Sequence, residues 1–538
     1  RSIGHVIEQQ LGYAGRQIFL LFSWAALVLV VTIFAILVAK TFASTPAVAT
    51  ASLLFIAMAP VFGYLVNRKG MSIVRGSFIF VPLLFVFVWV GTLIPADLVG
   101  LFDRAAARNE STVLSEGAID AGITTLRQDL VARGNTDAVA AALKTRLASS
   151  PRVSIARLRV ELSQVLALAA GEDIRRTADT AAACVATARA FLASERARNV
   201  WLFVLLIYVF IASVLPVWML LQPRDYLNSY LLYAMMALGF AGILVAMPTL
   251  KIPAFSGWVV ANSKGKPTAI FPMLFVTVAC GACSGFHALV ASGTSAKQIA
   301  DENHILPIGY GGMLVEGVLA VMALISVGYL TRGDYDALIN SKGNVAAFAS
   351  GLATFCTRLG LPLAAGRTFI ALTISAFMLT TLDTATRLTR FAWQELFLPR
   401  SGQSEAVSPR PAWRVAAHPF TATAIAVLAA GYLALSGDGM TIWPVFGASN
   451  QLLAALTLLA VTLYLIRRRA NYWVALLPMI FMIVISGWAL VILLIANLGK
   501  SIPLVVATVF LLIMALVLAV LAVKSLLAAG GRESAHVG

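Results

Sequence analysis

The stretch at residues 271–298 reads FPMLFVTVACGACSGFHALVASGTSAKQ, and it decides which kind of helical fold this chain can form. Residues at about 270–292 are predicted to span a membrane, and the first half of the stretch is strongly apolar. Its second half is rich in small and polar residues. Glycine costs roughly 1 kcal/mol relative to alanine inside a helix. The composition favours a helix broken between about Gly281 and Thr294, since an interrupted helix persists in a membrane where its freed backbone lines a cavity.

A second interpretation of the same stretch needs no break. Gly281 and Gly285 form a small-xxx-small pair, which is typical of closely packed membrane helices. Spacing alone does not separate the two interpretations. Cys280 and Cys283 form a C-x-x-C motif, which in a cytosolic chain would indicate redox or zinc chemistry. Because the motif lies in an apolar span and has no second pair, we interpret both cysteines as small packing residues.

The composition of the whole chain places this stretch in a membrane protein. Of 538 residues, 60% are hydrophobic and 12% are charged, with a mean hydropathy of +0.88. Soluble proteins average roughly 45–50% apolar and 25% charged residues, so soluble, disordered and disulfide-scaffold classes are excluded. Apolar runs of about 20 residues, each able to cross roughly 30 Å of hydrocarbon, recur along the chain. We predict an all-α, polytopic helical membrane protein with twelve spans, at about 17–39, 47–66, 77–95, 200–221, 227–249, 270–292, 308–330, 366–385, 419–437, 443–466, 473–497 and 503–525.

Charge in the connecting loops predicts the orientation. The net charge is +16, and the short loops on the side of residues 1–16 carry more Lys and Arg than those on the other side. Arg224 and Arg387 are counted among these loop charges. By the positive-inside rule both termini are expected to be cytoplasmic. The same rule explains the excess of Lys and Arg over Asp and Glu, so no nucleic-acid partner is needed to account for it.

Two segments depart from the pattern of spans. Residues 101–198 carry 14 Lys and Arg and 11 Asp and Glu and are rich in alanine, which predicts an extracytoplasmic helical insertion. It is either a tolerated insertion without activity or a lid or docking site for a partner. We predict three domains: membrane spans at 1–100, this insertion at 101–198, and a transport body with a cytoplasmic tail at 199–538. Residues 343–362 are too weakly apolar for a span, and we assign them to an outer re-entrant or surface helix.

Among the ionisable side chains inside predicted spans, where charge is costly and therefore indicates function, three stand out: His287, Glu316 and Asp383. His287 and Glu316 are expected to be buried in the inner half of the bilayer, at depths that differ by roughly 5 Å. They could pair or share a proton path, whereas the alternative for His287 is a packing histidine bonded to a carbonyl. Asp383 lies at the inner end of its span, and its alternative role is an ion pair with Arg387, one helical turn away.

The candidate residues fall into two groups. Candidates for substrate binding are Gly281, Ser284, Gly285, His287, Ser292, Gly293, Thr294, Asn450 and Gln451. Candidates for proton or ion coupling are Glu316, His287, Asp383, Thr380 and Thr384. No metal site or cofactor is expected, and the absence of a Walker A motif disfavours ATP-driven transport.

Five motifs together resemble the carbon starvation protein A family. Besides residues 271–298 they are ASVLPVWMLLQPRDYLNS at 212–229, IGYGGMLVEGVLAVMAL at 308–324, TTLDTATR at 380–387 and FGASNQLLAAL at 446–456. The resemblance implies a fold like that of the amino acid–polyamine–organocation superfamily, with inverted repeats and broken helices. It also implies transport of peptides during carbon starvation, or proton-coupled import of pyruvate. Members of the family begin with further spans and a Gly-Ala-Gly-Pro stretch, so we expect upstream sequence or a partner chain to supply half of the substrate site.

The sequence therefore favours a non-enzymatic secondary transporter, a proton symporter for peptides or small carboxylates such as pyruvate. Its expected partners are the substrate, protons and the lipid bilayer. One alternative is a membrane sensor with residues 101–198 as its ligand-binding module. Another is an amino-acid transporter coupled to sodium. A passive channel is disfavoured, because no repeated pore-lining segment occurs.

Overall fold

The computed structural model describes residues 3–132, 138–148, 153–169, 174–261, 267–278, 281, 283–341, 343–397, 411–436 and 439–534. These residues are predominantly helical, and the one sheet among them is a two-stranded antiparallel ribbon. In it, β1 (Val259–Ala261) pairs with β2 (Pro267–Ala269), with Val260 opposite Thr268. The all-α class predicted from composition is confirmed.

In the described part of the chain, nine helices precede the ribbon. They are α1 (Ile3–Ser44), α2 (Pro46–Asn67), α3 (Ile73–Leu93), α4 (Leu98–Arg108), α5 (Glu116–Ala132), α6 (Ala138–Ala148), α7 (Ile155–Ala169), α8 (Ile174–Val214) and α9 (Leu221–Ala246). The α-helices after the ribbon are α10 (Met273–Val278), α11 (Gly285–Gly293), α12 (Gly312–Gly328), α13 (Arg332–Ser341), α14 (Asn344–Cys356), α15 (Leu363–Glu395), α16 (Pro411–Ala416), α17 (Pro419–Ser436), α18 (Gly439–Arg467), α19 (Trp473–Asn497) and α20 (Ile502–Ser534). Short 3-10 or π turns occur at Ser295–Lys297, Glu302–His304, Pro307–Gly311 and Thr357–Leu359.

Among the described residues, eleven helical segments are long and apolar enough to cross a membrane. They are Ile3–Ser44, Pro46–Asn67, Ile73–Arg108, Asp179–Val214, Leu221–Ala246, Glu302–Gly328, Leu363–Glu395, Pro419–Ser436, Ile442–Arg467, Trp473–Asn497 and Ile502–Leu521. Each overlaps one predicted span. The twelfth predicted span, at 270–292, is divided between the short helices α10 and α11. The prediction of a polytopic membrane protein with a broken helix is confirmed.

The chain forms two compact units. The first comprises residues 1–38, 52–88 and 205–538, and the second comprises 39–51 and 89–204. In the second unit, the amphipathic helices α5, α6, α7 and the first part of α8 bury a shared core of alanine and leucine. This core includes Leu126, Leu143, Leu158, Leu162 and Ala188. The placement of residues 101–198 outside the membrane stays a prediction.

Helix α14 corrects the interpretation of residues 343–362. Its 13 residues rise about 20 Å, which is too short to cross the hydrocarbon. Eight of its residues are buried, and it packs among α9, α12 and α15, so the surface alternative is wrong, while the re-entrant alternative stays a prediction. Small residues explain the burial. A Cβ placed on Gly351 would lie 2.0 Å from the Ser326 carbonyl oxygen, so only glycine permits this approach.

The break in the 270–292 segment lies at the beginning of the interval predicted for it. Helix α10 ends at Val278, Ser284 has an extended backbone (φ −124°, ψ 129°), and α11 is helical from Gly285 to Gly293. The interruption predicted between about Gly281 and Thr294 therefore occurs at the start of that interval, before Gly285, and the interval from Gly285 to Gly293 is helical. The backbone departs from helical geometry again at Thr294, where α11 ends. Cys280, one of the two motif cysteines, lies outside the described residues.

Candidate functional site

Asn450 of α18 caps the start of α11. Its side-chain Oδ1 accepts a hydrogen bond from the Phe286 amide at 2.7 Å, and its Nδ2 donates to the Ser284 hydroxyl at 3.0 Å. The first amides of a helix have no partner within the helix, and the Asn450 side chain supplies one across the break. The predicted free backbone amide is wrong at Phe286. Asn450 and Ser284 are both buried, and Gln451 is buried beside them in α18.

The two glycines of the small-residue pair have different surroundings. A Cβ placed on Gly285 would lie 2.4 Å from the Leu453 Cβ and 2.6 Å from the Asn450 carbonyl oxygen. Helix α11 therefore packs on α18 at a distance that only glycine allows. A Cβ placed on Gly281 would meet no atom within 4 Å. The packing interpretation thus holds at Gly285, whereas Gly281 borders open space.

A cavity of about 720 Å³ lies along one face of α11, and we call it the first cavity. Its lining comprises Gly281, Ser284, His287, Val290, Ala291, Ser295, Ala296, Ile299, Ala300, Asp301, Glu302, Ile305, Ile308, Gly309, Gly312, Met313 and Glu316. The volume falls in the range of small-molecule sites, about 300–1,000 Å³. The structure therefore brings four predicted residues, Gly281, Ser284, His287 and Glu316, around one space.

The charged groups of the first cavity are three carboxylates and one imidazole. Asp301, Glu302 and Glu316 line it together with His287, and its described lining contains no Lys or Arg. His287 is exposed and Glu316 partly exposed, so the burial expected of both is wrong, because both face an open cavity. No hydrogen bond or ion pair between the two is found in the part of the chain that the structure describes. The carboxylates give this cavity a negative charge, which suits a cationic group.

A second cavity, of about 540 Å³, borders another face of α11. Val290 and Ser295 line both cavities, so the end of α11 separates the two spaces. Further lining residues of the second cavity are Phe62, Gly63, Val66, Asn67, Ile73, Val217, Leu221, Gln222, Pro223, Asp225, Tyr226, Thr294, Gln298 and Thr384. Two predicted residues, Thr294 and Thr384, therefore lie here and away from His287.

Ser292 and Gly293 lie on a third face of α11. They border a cavity of about 270 Å³ that also contains Lys297 and Glu395. A Cβ placed on Gly293 would lie 2.5 Å from the Leu388 Cδ2, so this glycine too is a packing residue. The structure distributes the candidates on α11 among three cavities and does not gather them in one.

Asp383 is fully buried, and its partner is Arg224 of α9. The Tyr208 hydroxyl donates a hydrogen bond to the Asp383 Oδ2 at 2.6 Å, and Arg224 Nη1 contacts both groups. The alternative pairing with Arg387 is wrong. The Arg387 Nη2 donates instead to the carbonyl oxygens of Ala212 and Leu215, at 2.8 and 2.7 Å, where α8 ends and carbonyls lack helical partners.

Thr380 belongs to the same buried cluster. Its hydroxyl accepts a hydrogen bond from the Asn228 Nδ2 at 2.8 Å and donates one to the Ala376 carbonyl at 3.1 Å. Sequence reasoning missed Tyr208 and Arg224, and counted Arg224 as a loop charge. Its local sequence, QPRDYLNS directly ahead of an apolar run, does not distinguish it from a loop charge.

No group of three or more His, Cys, Asp or Glu side chains that could hold a metal ion occurs among the described residues. Cys283, the described cysteine of the motif, is partly buried. These observations give the C-x-x-C motif no metal-binding context within that part of the chain.

Eleven apolar helices and an interrupted helix bordered by cavities define a multi-pass helical membrane protein. The chain belongs to the carbon starvation protein CstA family, whose model matches residues 1–113, 162–342 and 335–489. The resemblance found in the five motifs is confirmed. Residues 114–161, within the second unit, lie between the matched segments.

Relatives of known name share the matched region. The chain is 35% identical over 342 residues to the peptide transporter CstA of Escherichia coli K12, covering 52% of this chain and 48% of that protein. It is 31% identical over 370 residues to the pyruvate/proton symporter BtsT of the same organism, covering 54% and 50%. The peptide transporter CstA of Bacillus subtilis 168 is 30% identical over 319 residues, covering 53% and 52%. The chain spans about half the length of the curated relatives it matches.

Proposed function

We propose that this chain is the transport body of a proton-coupled secondary transporter for peptides or small carboxylates such as pyruvate. The observation that carries the proposal is the first cavity, where the broken helix brings Ser284 and His287 to the same space as Glu316. Broken helices bordering a cavity are the usual substrate sites of secondary transporters. The names of the relatives, a peptide transporter and a pyruvate/proton symporter, support the same class.

In this proposal Glu316 is the proton-coupling group and His287 is its neighbour or relay. Both face the cavity, where water and substrate can reach them. A carboxyl or imidazole that alternates between a watery and a sealed environment can take up a proton on one side and release it on the other. Asn450 has a positioning role, because its side chain fixes Ser284 and the first turn of α11.

The charge of the first cavity favours a substrate with an ammonium group. Asp301, Glu302 and Glu316 can attract the amino terminus of a peptide, whereas pyruvate would need a positive partner from outside this described lining. We therefore propose that the residues of this chain bind peptides in preference to pyruvate.

We also propose that the protein lies in the bacterial inner membrane, with both termini cytoplasmic and residues 101–198 extracytoplasmic.

Purified protein in proteoliposomes tests the function. With an imposed inward proton gradient, we expect accumulation of a radiolabelled dipeptide above the level in protein-free vesicles, and weaker accumulation of pyruvate. Dissipating the gradient with a protonophore should abolish it. Accumulation that follows a sodium gradient instead would favour the sodium-coupled alternative. Equilibration without accumulation under either gradient would contradict active transport.

A further inference from the structure

A buried ionic cluster lies between the end of α8, α9 and α15, apart from the first cavity. Arg224 and Asp383 are both fully buried, and Arg224 Nη1 contacts the Asp383 carboxylate and the Tyr208 hydroxyl. Tyr208 also donates to Asp383. Buried ion pairs hold their elements together only while both partners are present, since an unpaired buried charge is strongly destabilising.

A second carboxylate competes for the same guanidinium. The Asp225 Oδ1 lies 4.0 Å from the Arg224 Nη2, at the limit of an ion pair. Unlike Asp383, the Asp225 side chain is 43% exposed and lines the second cavity. One guanidinium therefore stands between two carboxylates, of which Asp383 is sealed and Asp225 reaches open space.

Several atoms of this cluster lack hydrogen-bond partners among the described residues. They are Arg224 Nε and Nη2, Asp225 Oδ1 and Asp383 Oδ1. Buried polar atoms in native structures are nearly always paired, so free donors and free acceptors side by side call for an explanation. The free donors of Arg224 can serve Asp225 as well as Asp383, which gives the cluster a second possible pairing.

The surroundings of Asp225 contain little other charge. On α15, the hydroxyl of Thr380 is a neutral neighbour of Asp225, and Arg387 acts on Asp383 while its Nη2 is held by the carbonyls at the end of α8. On α9, the Tyr226 hydroxyl bonds Ser77 and Tyr230. From the α11 side, neutral hydroxyl and amide groups border the cavity, including Ser295 and Gln298. The charge on Asp225 is therefore sensed chiefly by Arg224.

We propose that Asp225 takes up and releases a proton at the second cavity, and that Arg224 transmits the change to Asp383. A proton from cavity water binds a carboxylate oxygen of Asp225 and removes its attraction for Arg224. The guanidinium then pairs with Asp383 alone and holds α9 against α15. Loss of the proton restores the negative charge, draws the free donors of Arg224 toward Asp225 and weakens the contact with Asp383. This inference rests on the proposed function, because it adds a second proton-exchange group to the transport cycle.

Two measurements on Asp225→Asn test the proposal. The first is the melting temperature of the purified protein across a pH series, which reports proton binding without transport. We expect the wild-type value to change with pH and Asp225→Asn to lose part of that change. Asp103→Asn is the matched control, because Asp103 also pairs with an arginine, Arg189 at 2.7 Å, but lies in the second unit. It should keep the wild-type dependence.

The second measurement is substrate accumulation under an inward proton gradient. Asp225→Asn should reduce accumulation to the level of empty vesicles, while Asp225→Glu, which keeps a titratable carboxyl, should retain part of it. If Asp225→Asn does not fold, the melting temperature of Asp225→Glu across the same pH series is compared with that of wild type. A shifted pH dependence supports the proposal, and an unchanged one contradicts it. A wild-type protein that accumulates nothing would contradict the proposed function, and the melting series would still test the proton site. Unchanged pH dependence of melting in Asp225→Asn would overturn the proposal.

Discussion

At the scale of single residues, the pair Gly281 and Gly285 offers a matched test of the structure. Gly285→Ala should lower the free energy of unfolding by about 1–3 kcal/mol, because the new Cβ would clash with Leu453 and the Asn450 carbonyl. Gly281→Ala makes the same chemical change next to open space and should leave stability nearly unchanged. Thermal unfolding of both purified variants checks this. Equal losses would contradict the close packing of α11 on α18.

The residue scale also shows what sequence could and could not supply. Glu316 and His287 were singled out because ionisable groups inside apolar spans are costly, and both lie at one cavity. Arg224 was missed for the converse reason. An arginine next to an aspartate ahead of an apolar run is indistinguishable from a loop charge, yet α9 begins at Leu221 and buries it. Its partner Asp383 lies 159 residues away, and no local pattern links them.

At the scale of helices, the sequence predicts which segments are long apolar helices better than it predicts where a helix is interrupted. All eleven long apolar segments coincide with predicted spans, because hydropathy over about 20 residues is a strong signal. The interval predicted for the break is broader than the break itself, because α11 is helical from Gly285 to Gly293. Glycine content indicates a weak helix, but Gly285 is compatible with a regular helix here, because Asn450 caps it and Leu453 packs on it. These tertiary contacts come from α18, far away in sequence.

Helix α14 illustrates the same limit. Its hydropathy is weak because it contains Ala, Gly and Ser in place of large apolar side chains. This weak hydropathy favours a surface or re-entrant position. Those small residues instead allow close helix contacts, as at Gly351 against Ser326. Low hydropathy therefore does not distinguish an exposed helix from one enclosed by other helices.

At the scale of the whole molecule, composition established the class, and charge patterning predicts the orientation. Protease added to the extracytoplasmic face of intact spheroplasts should cut within residues 101–198 and leave the membrane fragments intact, because 25 charged residues cannot enter hydrocarbon. Mass spectrometry of the fragments, with a cytoplasmic marker protein as the control, checks this. Cleavage seen only after the inner face is exposed would reverse the proposed topology.

We propose that Glu316 in the first cavity couples proton movement to substrate transport, and the variant Glu316→Gln tests this role. The substitution keeps the volume while removing the titratable group, and Glu161→Gln, in the second unit, is the matched control. The measurement compares accumulation under a proton gradient with counterflow exchange at equal pH in the same proteoliposomes. We expect Glu316→Gln to abolish accumulation but retain exchange, and Glu161→Gln to retain both. Full gradient-driven accumulation by Glu316→Gln would contradict the proposed role.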